Sequence, residues 1–167
     1  MQVPTTAIKE LREKTGAGVV DCKKALLEAE GNMEKASEIL SERGLALARK
    51  KADRTVDQGI IEAYVHPGGQ IATLVEVNCE SDFVARTKEF KELAHNLALQ
   101  IAAMAPQFIS LDDMPQEADS DPKETCLLLQ PYIRDPNKTI QDTITETIAK
   151  VGENIKVRRF VRFELGY

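Results

Sequence analysis

With 167 residues, 43% of them hydrophobic and 29% charged, the chain has the composition of a folded globular protein with room for a core, which argues against global disorder. The net charge of −5 is uneven: residues 1–55 hold eleven Lys/Arg against nine Asp/Glu, so the acidic excess lies beyond them. That surplus argues against direct nucleic-acid binding as the main activity, which needs a basic surface to displace counterions.

In chain order, Met1-Gln2-Val3-Pro4 shows no apolar leader segment, and no stretch approaches the ~20 apolar residues of a membrane span. Cys22, Cys79 and Cys126 are odd in number and lack a C-x-x-C pair, which fits reduced thiols better than a disulfide framework or a zinc site. The expected setting is the cytoplasm, or an organelle matrix if a transit peptide has been removed, with no membrane partner. Thr5 or Thr6 can cap a first helix that carries Ile8 and Leu11 and ends at Thr15-Gly16. A second helix, Val19 to Glu30, sets Val19, Cys22, Leu26 and Ala29 at spacings of three and four, and Asn32 can cap a third with Met33, Ala36, Ile39 and Leu40. Gly44 reads as a break, after which a helical stretch ends in the basic cluster Arg49-Lys50-Lys51 with Arg54. No aromatic residues are interleaved there, so a solvated helix end or linker is the better reading.

Residues 59–65 and 70–78 predict two strands joined by His66-Pro67-Gly68-Gly69, whose glycines suit a hairpin turn. A long helix from Asp82 to Met104 follows, with Phe90, Leu93, Ala94, Leu97, Ile101 and Met104 on one face. The polar, proline-containing stretch 106–125 predicts a loop. A last helix, Ile140 to Val151, stops at Gly152, and a final strand runs from about Asn154 to Leu165. Its alternation breaks at Arg158-Arg159, which predicts a bulge or an edge strand. The fold class is therefore α+β. A three-helix, ubiquitin-associated-like bundle with a basic linker helix occupies residues 1–54, and a domain with a small antiparallel sheet packed on helices occupies 55–167.

Chemistry-bearing constellations are few. Cys79, Asp82 and His95 could be assembled as nucleophile, orienting acid and base, but a helix from 82 to 104 puts His95 roughly 20 Å from Asp82 at ~1.5 Å of rise per residue. His66 in its turn has no clustered partner. No phosphate-binding glycine loop, dinucleotide fingerprint or H-E-x-x-H occurs. No catalytic residue, metal ligand or cofactor is assigned, and the chain reads as a binding protein rather than an enzyme. The informative segment is Cys79-Glu80-Ser81-Asp82-Phe83-Val84-Ala85-Arg86, where a strand end meets a helix start. An apolar side chain on such a corner can be offered to a partner with little ordering entropy; the alternative is that Phe83 packs back on its own sheet.

Leu11-Arg12-Glu13-Lys14-Thr15-Gly16-Ala17-Gly18-Val19-Val20-Asp21-Cys22-Lys23-Lys24-Ala25-Leu26 closely resembles the N-terminal signature of the elongation factor Ts family. Val75-Glu76-Val77-Asn78-Cys79-Glu80-Ser81-Asp82-Phe83-Val84-Ala85-Arg86 resembles its second signature, with Ser81 where threonine is usual. Gly152-Glu153-Asn154-Ile155 with Arg158-Arg159-Phe160-Val161-Arg162-Phe163-Glu164 is similar to its closing strand, and His95 to Ala103 fits the helix after the second signature. The resemblance implies a guanine-nucleotide exchange factor that binds GDP-bound elongation factor Tu. It implies that Ser81, Asp82, Phe83 and Val84 meet the GTPase domain, with Phe83 wedging near the bound magnesium so that GDP leaves faster. Val20, Lys23 and Arg86 are further contact candidates. Asp82 can anchor the corner or act as the cap of its own helix, and Val20 can belong to the interface or to the bundle core.

The chain departs from the long form of the family. It has one sheet-forming module, no coiled-coil insertion and a short loop near 106–125, a compact type in which an open sheet edge predicts a homodimer. Two rival classes remain. A ubiquitin-associated-type adaptor would bind through residues 5–43 alone, and a thiol enzyme would depend on Cys79.

Overall fold

The computed structural model describes residues 3–167; Met1 and Gln2, with which the N-terminal reading begins, lie outside them. Three helices come first: α1 (Thr5–Thr15), α2 (Val19–Glu28) and α3 (Met33–Lys51). Neither Thr5 nor Thr6 caps α1. Pro4 holds the N-cap position at φ −60°, and its carbonyl accepts the Ile8 N–H, since proline's fixed φ already suits that position. Gly16 closes the helix in the left-handed region at φ 69°, as a C-terminal glycine should. Asn32 caps α3 as its position suggests, its Oδ1 accepting from the N–H groups of Glu34 and Lys35 at 3.0 Å each. Leu11, Cys22, Ala25, Leu26, Ala29 and Ala36 form the bundle's own buried cluster. Val19, expected on that inner face, is 52% exposed.

Gly44 is not a break. α3 passes through it without interruption, and Gly44 is buried where a Cβ would approach that of Ala149 to 3.2 Å. The missing side chain lets α3 lie close against α7 (Ile140–Val151), a tertiary gain that outweighs glycine's poor helix propensity. α3 thus spans from the bundle to the sheet domain, and its last residue, Lys51, donates its ammonium to the Gly152 carbonyl.

The sheet is antiparallel with order β1-β2-β5, formed by β1 (Gln58–Val65), β2 (Ile71–Cys79) and β5 (Ile155–Glu164). The bulge expected at Arg158-Arg159 is present: Arg159 opposes Glu76 and Val157 opposes Val77, leaving Arg158 as the extra residue. Glu76 takes both arginines, at 3.4 Å from Arg158 and 2.7 Å from Arg159, and this pairing holds its carboxyl below the usual range. The expected long helix is two. α4 (Asp82–Ala85) ends at Arg86, and Thr87 caps α5 (Lys88–Met104), taking the Phe90 N–H while its hydroxyl donates to the Val84 carbonyl. Threonine's local side-chain bonds offer the backbone an alternative to continuous helix.

Residues 106–125 hold more order than their composition suggests, with a 3₁₀ turn at Leu111–Asp113 and the short α6 (Pro122–Thr125). Beyond them a small ribbon, β3 (Pro131–Tyr132) with β4 (Asp135–Thr139), leads into α7. Buried Gln100 on α5 fastens this region: its Nε2 donates to Gln130 Oε1 and the Pro131 carbonyl, and its Oε1 accepts the Ile133 N–H. The main core joins Val75 and Val77 of β2 to Phe90, Leu93, Leu97 and Ile101 of α5 and Ile140, Ile144 and Ile148 of α7. One sheet face is covered in this way and the other is open.

Candidate partner-binding site

The β2–α4 corner is built from both sides of the sheet's end. β2 delivers buried Cys79, whose thiol donates to the Ser81 carbonyl at 3.1 Å. Ser81, with extended backbone, is the N-cap of α4 and accepts the Val84 N–H at 3.4 Å. Asp82 is therefore not the cap; it sits in the first turn and pairs with Arg86 at 2.6 Å. The Glu153 carboxylate accepts twice from Ser81, from its N–H at 2.9 Å and its hydroxyl at 2.6 Å. One residue to either side, Glu80 accepts the Asn154 N–H at 2.7 Å and pairs with Arg54 at 3.2 Å. The Asn154 bond and Arg54 hold the Glu80 carboxyl below its ordinary value.

On this braced corner Phe83 points outward and is 77% exposed. It does not pack back onto its own sheet. Val84, a contact candidate from the motif, is only 8% exposed and belongs to the core, so it supports the corner from beneath instead of offering a surface. Arg86 is exposed and engaged with Asp82. In the bundle, Val20 is 63% exposed beside exposed Val19, and Lys23 lies one turn further along α2, also exposed. Val20 is thus not a core residue. α2 starts at Gly18 with no side-chain cap, so its first turn stands open.

A thiol-enzyme geometry is not assembled. His95 meets Glu62 on β1 at 3.0 Å, and burial, with the Glu153 charge adding to it, pushes the Cys79 thiol up to about 11. Among the described residues no group of three or more His, Cys, Asp or Glu could hold a metal, and no helix is long and apolar enough to cross a membrane. Composition and spacing gave no functional reading of Glu80, Glu153, Asn154 and Arg54, which brace the corner. Two of these contacts join residues more than 70 positions apart, and no local pattern marks them.

Fold and corner together define an α+β protein that holds an exposed aromatic side chain on a braced strand-to-helix turn, with a helical bundle attached. The family model described as Elongation factor TS matches residues 5–121. Elongation factor Ts of Thermoanaerobacter sp. (strain X514) is 50% identical, with 98% of this chain and 95% of the relative covered. Those of Carboxydothermus hydrogenoformans (49%; 98% and 89% covered) and Coprothermobacter proteolyticus (47%; 99% and 100% covered) are similar to it over comparable spans. The chain belongs to the elongation factor Ts family. The alignment with the Thermoanaerobacter protein runs over 194 positions, more than the 167 residues here, so that relative carries residues this chain lacks.

Proposed function

We propose that this chain is a guanine-nucleotide exchange factor for elongation factor Tu, working in the cytoplasm and performing no covalent chemistry of its own. It binds the GDP-bound GTPase and wedges Phe83 near the magnesium site, which loosens magnesium and phosphate coordination. The observation that carries this reading is Phe83, 77% exposed on a corner held by Glu153 and Glu80. A large apolar group held rigidly in water can be buried by a partner at little further ordering cost. Linkage supplies the mechanism: a protein that prefers the nucleotide-free partner weakens nucleotide binding by the same factor that nucleotide weakens its own.

Two regions of the chain divide the labour. Residues 1–54 dock a bundle surface containing Val20 and Lys23 on the GTPase domain, and residues 55–167 carry the wedge, with Asp82 and Arg86 flanking it. A second copy of the chain covers the open face of the sheet, where Leu74, Val161 and Phe163 are exposed.

Release of fluorescent GDP from elongation factor Tu, followed by stopped flow, tests the reading. Substoichiometric protein should accelerate release, and Phe83→Ala should slow the accelerated rate by ten- to thirtyfold, the ~2 kcal/mol of an interface hot spot, with circular dichroism unchanged. Wild-type rates in that variant would remove the wedge.

A further inference from the structure

The turn that carries Phe83 cannot hold itself. α4 is four residues long, and a single helical turn fixes several dihedrals for one or two hydrogen bonds. Its direction must come from outside, and the contacts show where. Both polar groups of Ser81 that precede the turn end on one carboxylate, Glu153, and the 2.6 Å hydroxyl contact has the length of a charge-assisted bond. Next to it the bracket is reciprocal: Glu80 of the corner accepts from Asn154, whose side-chain amide reaches back to the carbonyls of Ala52 and Arg54 at 3.2 and 3.0 Å. Glu153 itself contributes nothing to the apolar core.

We propose that Glu153 is a positioning residue for exchange: by clamping the Ser81 N–H and hydroxyl it fixes the direction in which Phe83 leaves the corner, and so sets how much of partner binding becomes nucleotide release. This rests on the wedge reading of Phe83. A residue that only holds the fold would cost stability and affinity together. A residue that aims the wedge lowers the catalysed release rate at saturating exchange factor while the concentration dependence stays put. It also loses its effect once the wedge is gone.

The test is a double-mutant cycle on catalysed GDP release, read as kcat and KM over a titration of the full-length chain. Glu153→Ala should lower kcat tenfold or more with KM within about twofold, a loss of ~1.4 kcal/mol or more. Glu153→Gln keeps an oxygen for the Ser81 N–H and should recover part of the rate. In a Phe83→Ala background, Glu153→Ala should add no further loss. Equal factors in both backgrounds would overturn the positioning role, as would wild-type kcat in Glu153→Ala when Phe83→Ala is slow. Wild-type rates in Phe83→Ala alone would instead sink the wedge reading and this inference with it. If Glu153→Ala does not fold, Ser81→Ala, which removes the hydroxyl side of the clamp together with the α4 cap and leaves the Ser81 N–H on Glu153, takes its place in the same cycle and is read by the same criteria.

Discussion

At the scale of single residues, the corner owes its stiffness to groups that are buried or paired in the states they hold at neutral pH. Cys79 is fully buried beneath the turn, and its thiol is raised from 9.0 to about 11, first by burial and then by the Glu153 charge. A raised folded value means the neutral thiol contributes stability that is fully present below about 9 and is lost as pH rises toward 11. Two outcomes are expected. Iodoacetamide at pH 8 should leave Cys79 unmodified in the native protein and react with it rapidly in urea, and the denaturation midpoint should fall between pH 9 and 11. Rapid native alkylation at Cys79, located by peptide mass mapping, would show that the corner opens far more readily than its hydrogen bonds suggest. The signature around Phe83 was readable as a motif, but the strand-to-helix transition alone left open whether the side chain faced outward or packed back on the sheet, and the fold turns it outward. The braces were not readable: Glu153 meets Ser81 only because β2 and the start of β5 end at the same edge of the sheet, a tertiary fact with no local signal.

Among the elements, those with strong periodicity and clear glycine stops were legible in the sequence: α2, the two hairpin strands, α7 and β5 lie within a residue or two of their expected spans. Misreadings came where tertiary packing or a side-chain cap overrode local preference. Gly44 looked like a stop because its cost in a helix is about 1 kcal/mol, yet close packing on α7 absorbs it. Thr87 looked like an interior residue of a continuous helix, yet its hydroxyl starts a new one. Gly59 was read only as a strand start, and it is the glycine that β1 cannot replace. At φ +152° a Cβ there would lie 2.1 Å from the Val77 carbonyl oxygen, backbone that cannot step aside. Gly59→Ala should therefore destabilise by at least about 2 kcal/mol and lower Tm by on the order of 4–8 °C. Gly68→Ala, in the hairpin turn with no atom within 4 Å of a new Cβ, should pay only for its positive φ, about 1 kcal/mol. Equal Tm losses in the two variants would mean that β1 shifts its register to relieve the clash.

For the whole molecule the open question is what covers the second face of the sheet. The register stacks its outward side chains in rows, Ile61–Glu76–Arg159, then Ala63–Leu74–Val161, then Val65–Ala72–Phe163, so a charged row at one end gives way to two apolar ones. Leu165 extends the apolar strip beyond the last row and is exposed like Ile61, Val65 and Phe163. Three strands ~4.8 Å apart and some nine residues long at ~3.3 Å each give a face of roughly 15 by 30 Å, about 450 Å². A face of this footprint is small beside the roughly 2,000–5,000 Å² that obligate homodimers bury in total, so a reversible dimer is the expected assembly. Sheet-on-sheet packing of two copies about 10 Å apart should accordingly give a reversible, concentration-dependent dimer. Sedimentation equilibrium across two decades of concentration measures this directly. Phe163→Glu places a charge in the apolar strip of the packed layer and should leave a monomer at every concentration, with unchanged circular dichroism and with Phe83 still free to act. A wild-type chain that stays monomeric at about 100 μM would assign the apolar face to the GTPase instead. In that case Phe163→Glu should raise KM for exchange and leave the oligomeric state untouched.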